Sequence, residues 1–485
     1  MEYISYSFIA FVAAGLILYA LLPKAYGKYI LLLASLIFVG LSGGIFSLAF
    51  LCISIAVTFV CARAMERTEK NGLRRLMLFL TVLFHLSLLF YFKYQNFWEY
   101  TKELFYYISG SEYLPELTER RAPLGISFYT LMLISYAADV YMKKRKAEAS
   151  AASFTLYASY FGHIVQGPID AYGDVEKDMK KPGGLCYDDL INGALLAAYG
   201  LLKKLVVSER LGILVDAAFS DIGAWPWYLL FLSAAAFSLQ LYTDFSGCMD
   251  IVTGVSRMFG IRLSENFRQP FFSQSVAEFW RRWHITLGAF FRKYVYIPLG
   301  GNRKGQLRKH LNTIAVFSLS GLWHGGNWTF VIGTGLLHCV YMILGEHMRP
   351  LNERLLGSLH IDGSMPLIRI LRSLWVFILV TLGFVLFRSE SIAQAAEYLY
   401  AIASFQASAY GPIGLSMIGL SLADVILVLM GLILIFAVSC FRETGKKPGP
   451  LAMREDLALL MLMLVIVFGC YGRGYDASAF IYAAF

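Results

Sequence analysis

The chain has 485 residues, of which 58% are hydrophobic and 15% charged, with a formal net charge of +9. A mean hydropathy of +0.59 excludes a soluble domain of this length and predicts an all-α polytopic membrane protein. The excess of positive charge is accounted for by membrane topology and a docking surface for an acidic partner, and gives no reason to invoke nucleic acid.

Apolar runs long enough to cross a hydrocarbon core of about 30 Å recur at 4–22, 45–62, 75–92, 124–141, 368–387, 422–441 and 457–471. Shorter or polar-interrupted runs at 29–42, 152–166, 189–207, 227–247, 311–324 and 328–345 bring the predicted total to about a dozen. The first run lacks a basic leader and a small-residue cleavage site ahead of Pro23 and Lys24, which predicts a retained span and not a signal peptide. Basic residues concentrate in cytoplasmic loops. Lys24 and Lys28 follow the first span, "LSGG" the second, and Arg63, Arg67, Lys70, Arg74 and Arg75 the third, so the N-terminus is expected outside. An acidic loop at 93–121 and "KKRK" at 143–146 continue the alternation. The segment 276–310 carries eight Lys or Arg against Glu278 alone, and Arg442, Lys446, Lys447 and Arg454 precede the last span. Both segments are expected in the cytoplasm, which places the C-terminal residues outside.

The seven cysteines show no metal-ligand spacing and are expected to act as small buried hydrophobes; no metal site is expected. No internal repeat and no phosphate-binding glycine loop is visible.

Two stretches carry the candidate chemistry. In "AEFWRRWHITLGAFFRKYVYIPLGGNRKG" (277–305), a continuous helix puts Trp280, Trp283 and His284 on one face and Arg281 and Arg282 elsewhere, a band that also suits plain interfacial anchoring. In "LSGLWHGGNW", His324 sits in an apolar span beside Trp323, and an ionisable group at membrane depth marks an internal cavity. Gly321, Gly325 and Gly326 are expected to let the backbone bend or a substrate pass. His85 and His338 are expected to be satisfied packing residues. Asp244, in "LYTDFSGCMD", either holds helices together or lines the same cavity.

These stretches, with "APLGISFYTLMLISYAADVY" (122–141), "HIVQGPI" (163–169), "ENFRQPF" (265–271) and "YIPLGGNRKG" (296–305), closely resemble the membrane-bound O-acyltransferase superfamily. Within it they resemble the bacterial branch of alginate O-acetylation and teichoic acid D-alanyl transfer. The resemblance implies about eleven core spans plus re-entrant helices around a central tunnel, reached by a cytosolic acyl donor on one side and the acceptor on the other. It aligns His324 with the family's near-invariant histidine and His284 with its companion position. His324 is then expected as general base and His284 as an orienting or oxyanion-stabilising group. Asp244, Trp280, Arg281, Trp283, Arg292, Lys293, Asn302, Arg303 and Trp323 are expected to line the tunnel or dock the donor.

Past an expected core of residues 1–441, the segment 442–485 resembles the single-span companion protein of D-alanyl transfer systems, fused here as one extra span. It ends "FIYAAF": the resemblance implies that Tyr482 relays the acyl group while Phe480 and Phe485 seat the tail, and an interfacial aromatic anchor is the plainer alternative. The expected activity is O-acylation, most simply acetylation, of an envelope polysaccharide. The donor is acetyl-CoA or an acyl carrier protein thioester, and an extracytoplasmic acetyltransferase partner is expected. D-alanyl transfer to teichoic acid is the alternative. A lipid-linked sugar transporter or flippase is a third reading, for which neither the histidine pair nor a terminal tyrosine has a use.

Overall fold

The computed structural model describes residues 2–118, 120–409, 411, 413–445 and 451–471, so that Phe480, Tyr482 and Phe485 lie outside the described residues. Hydrocarbon offers an amide no water to bond, and an apolar segment must satisfy its backbone within its own helix. The described residues are accordingly helical, with one isolated antiparallel bridge between Phe267 and Trp283. The first half comprises α1 (Tyr6–Leu21), α2 (Gly27–Arg67), α3 (Asn71–Lys93), α4 (Phe97–Ile108), α5 (Ile126–Tyr141), α6 (Ala151–Ser159) and α7 (Tyr172–Lys180). The second comprises α8 (Tyr187–Ser220), α9 (Trp227–Met258), α10 (Val276–Arg282), α11 (Ile285–Phe291), α12 (Gln306–His324), α13 (Trp328–Ser358), α14 (Pro366–Arg388), α15 (Ile392–Ala403), α16 (Leu422–Glu443) and α17 (Leu451–Phe468).

Among the described residues six helices are long and apolar enough to cross a membrane: Lys24–Arg67, which contains α2, and then α3, α8, α13, α14 and α16. The runs 29–42 and 45–62, expected as two spans, are joined in α2, whose helical angles break at Gly44 (φ 75°, ψ 177°), a conformation that glycine tolerates. The run 152–166 is not a span. Only the nine residues of α6 are helical, a length of about 14 Å, and 160–170 folds back as buried turns. There a Cβ on Gly167 would sit 2.0 Å from the His163 Cα. The cysteines also divide: Cys248 and Cys339 are buried, whereas Cys52 and Cys186 are exposed.

Helices α8 and α9 approach backbone to backbone. A Cβ on Gly200 would lie 2.5 Å from the Gly247 carbonyl oxygen, and one on Gly193 2.5 Å from that of Gly254. Both pairs are spaced seven residues apart, so small residues recur on one face of each helix, the pattern that permits close packing in a membrane. At the crossing α8 widens into a π-helical segment, Leu202–Ser208, that buries two lysines. Lys204 bridges Asp244 at 2.5 Å and Glu209 at 2.7 Å. Lys203 pairs with Asp250 at 2.7 Å and donates to the Ser246 hydroxyl at 2.9 Å. Of its two expected roles, Asp244 thus has a partner for the first, tying α9 to α8.

Helix α17 docks on the other side of α8. The Tyr187 hydroxyl donates to Glu455 at 3.0 Å, Arg454 to the Asn192 side-chain oxygen at 2.9 Å, and the Cys470 amide to the Leu205 carbonyl at 2.8 Å.

Gly254→Val forces a side chain into the α8–α9 contact and is expected to cost about 1–3 kcal/mol, seen as a lower thermal midpoint of the detergent-solubilised protein. Gly345→Ala, where nothing lies within 4 Å, is not expected to lower it.

Candidate active site

The continuous helix expected through "EFWRRWHITL" does not form. Helix α10 begins under the Ser275 hydroxyl, which accepts from the Glu278 amide at 3.1 Å, and ends at Arg282. Trp283 is extended (φ −109°, ψ 130°) and His284 is left-handed (φ 47°, ψ 53°) before α11 starts. Trp280, Trp283 and His284 therefore do not share one helical face. Trp283 packs among Phe267, Phe279 and Phe384, while Trp280 sits edge-on to Phe317 and His338.

Asn266 holds this break in place. Its backbone carbonyl accepts from the Ile285 amide at 3.0 Å, and its side-chain oxygen accepts from the Thr286 amide at 3.1 Å and the Thr286 hydroxyl at 3.0 Å. His284 Nδ1 completes the set at 3.3 Å. A left-handed conformation costs a non-glycine residue roughly 1–2 kcal/mol and persists only where its surroundings over-determine it. The Thr286 hydroxyl in turn accepts from the Ile169 amide at 3.0 Å, which couples the bracket to the buried turn after α6. Because the amide oxygen can only accept, Nδ1 of His284 carries the proton, and in the neutral ring the lone pair sits on Nε2.

His324 is the last residue of α12 and, like His284, is buried, at 3% and 2% exposure. Trp323 packs against both, its ring 5.7 Å from that of His284 and 5.1 Å from that of His324. The Trp323 indole N–H donates to the Ser127 carbonyl at 3.2 Å, fixing it to α5. Phe245 lies 5.0 Å from His284, and Phe387 lies 5.4 Å from His324. Two of the three glycines around His324 serve close packing. A Cβ on Gly321 would meet the Phe330 carbonyl at 2.7 Å, and one on Gly325 the Phe330 ring at 2.6 Å, so both let α12 lie against the start of α13.

The remaining expected site residues scatter. Arg281, Arg292, Asn302 and Arg303 are exposed, and Lys293 pairs with Asp139 of α5 at 2.9 Å. Arg282, pointing elsewhere, bonds Glu443 of α16 at 2.9 and 3.0 Å. His85 bonds Thr58 at 2.8 Å, and His338 bonds the Gly333 carbonyl at 2.8 Å. Tyr482, Phe480 and Phe485 fall outside the described residues. Two neighbours of the histidines escaped the sequence reading. Asn266 bears on His284 only through tertiary hydrogen bonds, and Lys93 resembles any lysine that ends an apolar helix. Lys93 donates to the Ser127 hydroxyl at 3.0 Å, and its ammonium stands 5.2 Å from the centre of the Trp323 ring.

Residues 74–387 match the MBOAT, membrane-bound O-acyltransferase family. The chain is 36% identical, over 80% of its length and 75% of theirs, to the "Probable alginate O-acetylase AlgI" of Azotobacter vinelandii. It is 31% identical to the peptidoglycan O-acetyltransferase of Helicobacter pylori, covering 71% of this chain and 68% of that one. Similarity to the teichoic acid D-alanyltransferase of Bacillus subtilis is 30% over 48% of this chain and 60% of that one.

Asn266→Ala leaves donors of the His284 turn without their acceptor, at a cost of about 1–3 kcal/mol. Where that loss falls on His284 geometry, acyl transfer by the folded variant is expected to drop about 10–100-fold; transfer assays normalised to membrane-inserted protein check it.

Proposed function

The chain belongs to the membrane-bound O-acyltransferase family, and we propose that it moves an acetyl group from a cytosolic thioester across the membrane for O-acylation of an extracytoplasmic envelope polysaccharide. The protein is a membrane O-acyltransferase, and relatives named for alginate and peptidoglycan O-acetylation support a polysaccharide acceptor. The donor we propose is acetyl-CoA or an acyl carrier protein thioester, met by the exposed Arg281, Arg292, Arg303 and Asn302. An extracytoplasmic acetyltransferase would complete the transfer.

The observation that carries the chemistry is that His284 and His324 converge on one ring, that of Trp323. A hydroxyl attacking a thioester needs a base as the new bond forms, and imidazole, with an ordinary pKa of about 6.5, suits that work near neutral pH. His324 takes the base role. His284, with Nδ1–H directed at Asn266, suits orientation of the reacting groups better than donation to an oxyanion. Tyr482 is proposed as the relay, because a phenol with a pKa of about 10 is a better leaving group than an alkyl alcohol and an acyl-tyrosine keeps much of the thioester's transfer potential.

The Bacillus subtilis relative supports a second reading, in which the group moved is D-alanyl and the acceptor teichoic acid. Alkali-labile acetate and D-alanine in envelope polymers separate the two.

His324→Ala is expected to lower ester incorporation by about 10²–10⁴-fold at wild-type expression; unchanged ester content would overturn the reading. Tyr482→Phe is expected to abolish transfer and the acyl adduct that mass spectrometry detects on the wild-type tail, and a fully active Tyr482→Phe protein would remove the relay.

A further inference from the structure

Lys93 is a cation placed beside the histidines without an anion to answer it. It ends α3 half-buried, and among the described residues its ammonium has a single hydrogen bond, to the neutral Ser127 hydroxyl, and no ion-pair partner. The buried lysines Lys203 and Lys204 are treated differently: each meets a carboxylate within 2.7 Å. A cation partly withdrawn from water with no carboxylate to pair it is costly, and such a group beside an internal site marks a function. The Trp323 ring that the Lys93 ammonium covers is the one against which both His284 and His324 pack. Ser127 anchors both: its hydroxyl accepts from Lys93 and its carbonyl from the Trp323 indole.

Two of the three ammonium hydrogens remain for a ligand, and His284 does not compete for the task, since its Nδ1–H is directed at Asn266. We propose that Lys93 stabilises the negative charge that develops on the thioester carbonyl oxygen during acyl transfer, with Ser127 positioning its ammonium. The inference rests on the acyltransferase reading of this site. As the acceptor oxygen attacks the carbonyl carbon, a C–O bond forms, the carbonyl π pair moves onto its oxygen, and the hydroxyl proton passes to His324. Collapse restores C=O, breaks the C–S bond and returns the proton to the departing sulfur. Lys93 exchanges no proton in this sequence; it opposes the oxyanion charge that exists only near the transition state, where a fixed donor in a water-poor site acts most strongly.

The test uses the purified full chain in lipid nanodiscs with acetyl-CoA as donor, following acyl transfer for wild type, Lys93→Met, Lys93→Arg, Ser127→Ala and His324→Ala, with thermal unfolding of each. Lys93→Met is expected to lower kcat by about 10²–10³-fold with KM for donor and acceptor unchanged, and Lys93→Arg to recover at least about tenfold of that loss. A wild-type kcat in Lys93→Met overturns the proposal. So does a loss confined to KM, which would make Lys93 a binding site for an anionic acceptor, or a loss that Lys93→Arg does not relieve. Should Lys93→Met fail to fold, Ser127→Ala decides: the ammonium keeps its charge but loses its anchor, so kcat falls with KM unchanged, and a wild-type kcat overturns the proposal. Absent wild-type turnover, or a fully active His324→Ala, strikes at the acyltransferase reading instead.

Discussion

Lys204 sets the position of much of the structure. Held between Asp244 and Glu209 in a part of α8 that has no water to offer, its ammonium fixes the rotation of α9 about its own axis. A buried ion pair adds little net stability, but breaking one is severe, and what it supplies here is register. One residue beyond Asp244, Phe245 faces the His284 ring; a turn later, the Met249 sulfur accepts a hydrogen bond from the Asn266 amide at 3.4 Å. The glycine crossing brings the two helices close enough for the lysines to reach, and the π-helical widening turns both lysines inward. An error of register at α9 would therefore move the support of His284 and of Asn266 together.

Legibility in the sequence followed the range of the interactions involved. Hydrophobic runs and basic loops announced a helical membrane protein because each is a local property of the chain, and each of the six long apolar helices contains at least one of those runs. The histidines stood out because an ionisable side chain in an apolar stretch needs a reason wherever it sits. Invisible was whatever depended on distant partners. The break at Trp283 and His284 is imposed by Asn266 and the Phe267 bridge, so a helical wheel drawn through "EFWRRWHITL" grouped side chains that the chain separates. The glycines beside His324 suggested a bend or a passage, yet at Gly321 and Gly325 the Phe330 backbone and ring occupy the space that a side chain would fill. A sequence shows that a residue is small without showing what makes it so.

The same limit applied to charge. Asp244 read as one polar point among apolar residues, and its partner Lys204 lay forty positions earlier in a run already counted as a span. Lys93 was masked by the opposite effect, a residue type so ordinary at a helix end that nothing asked for an explanation until its lack of a carboxylate became visible. Conversely, Arg281, Arg292 and Arg303 were read as lining the tunnel or docking the donor, and they lie exposed.

Helix α4 presents Trp98, Phe105 and Ile108 outward while Glu99 and Lys102 pair along it, the make-up of a helix lying in the plane where headgroups meet hydrocarbon. The Thr101 hydroxyl accepts from the Trp328 indole at 3.0 Å, four residues beyond His324. One hydrogen bond thereby ties this amphipathic helix to the chain just past His324, so a displacement of α4 is felt beside the histidine.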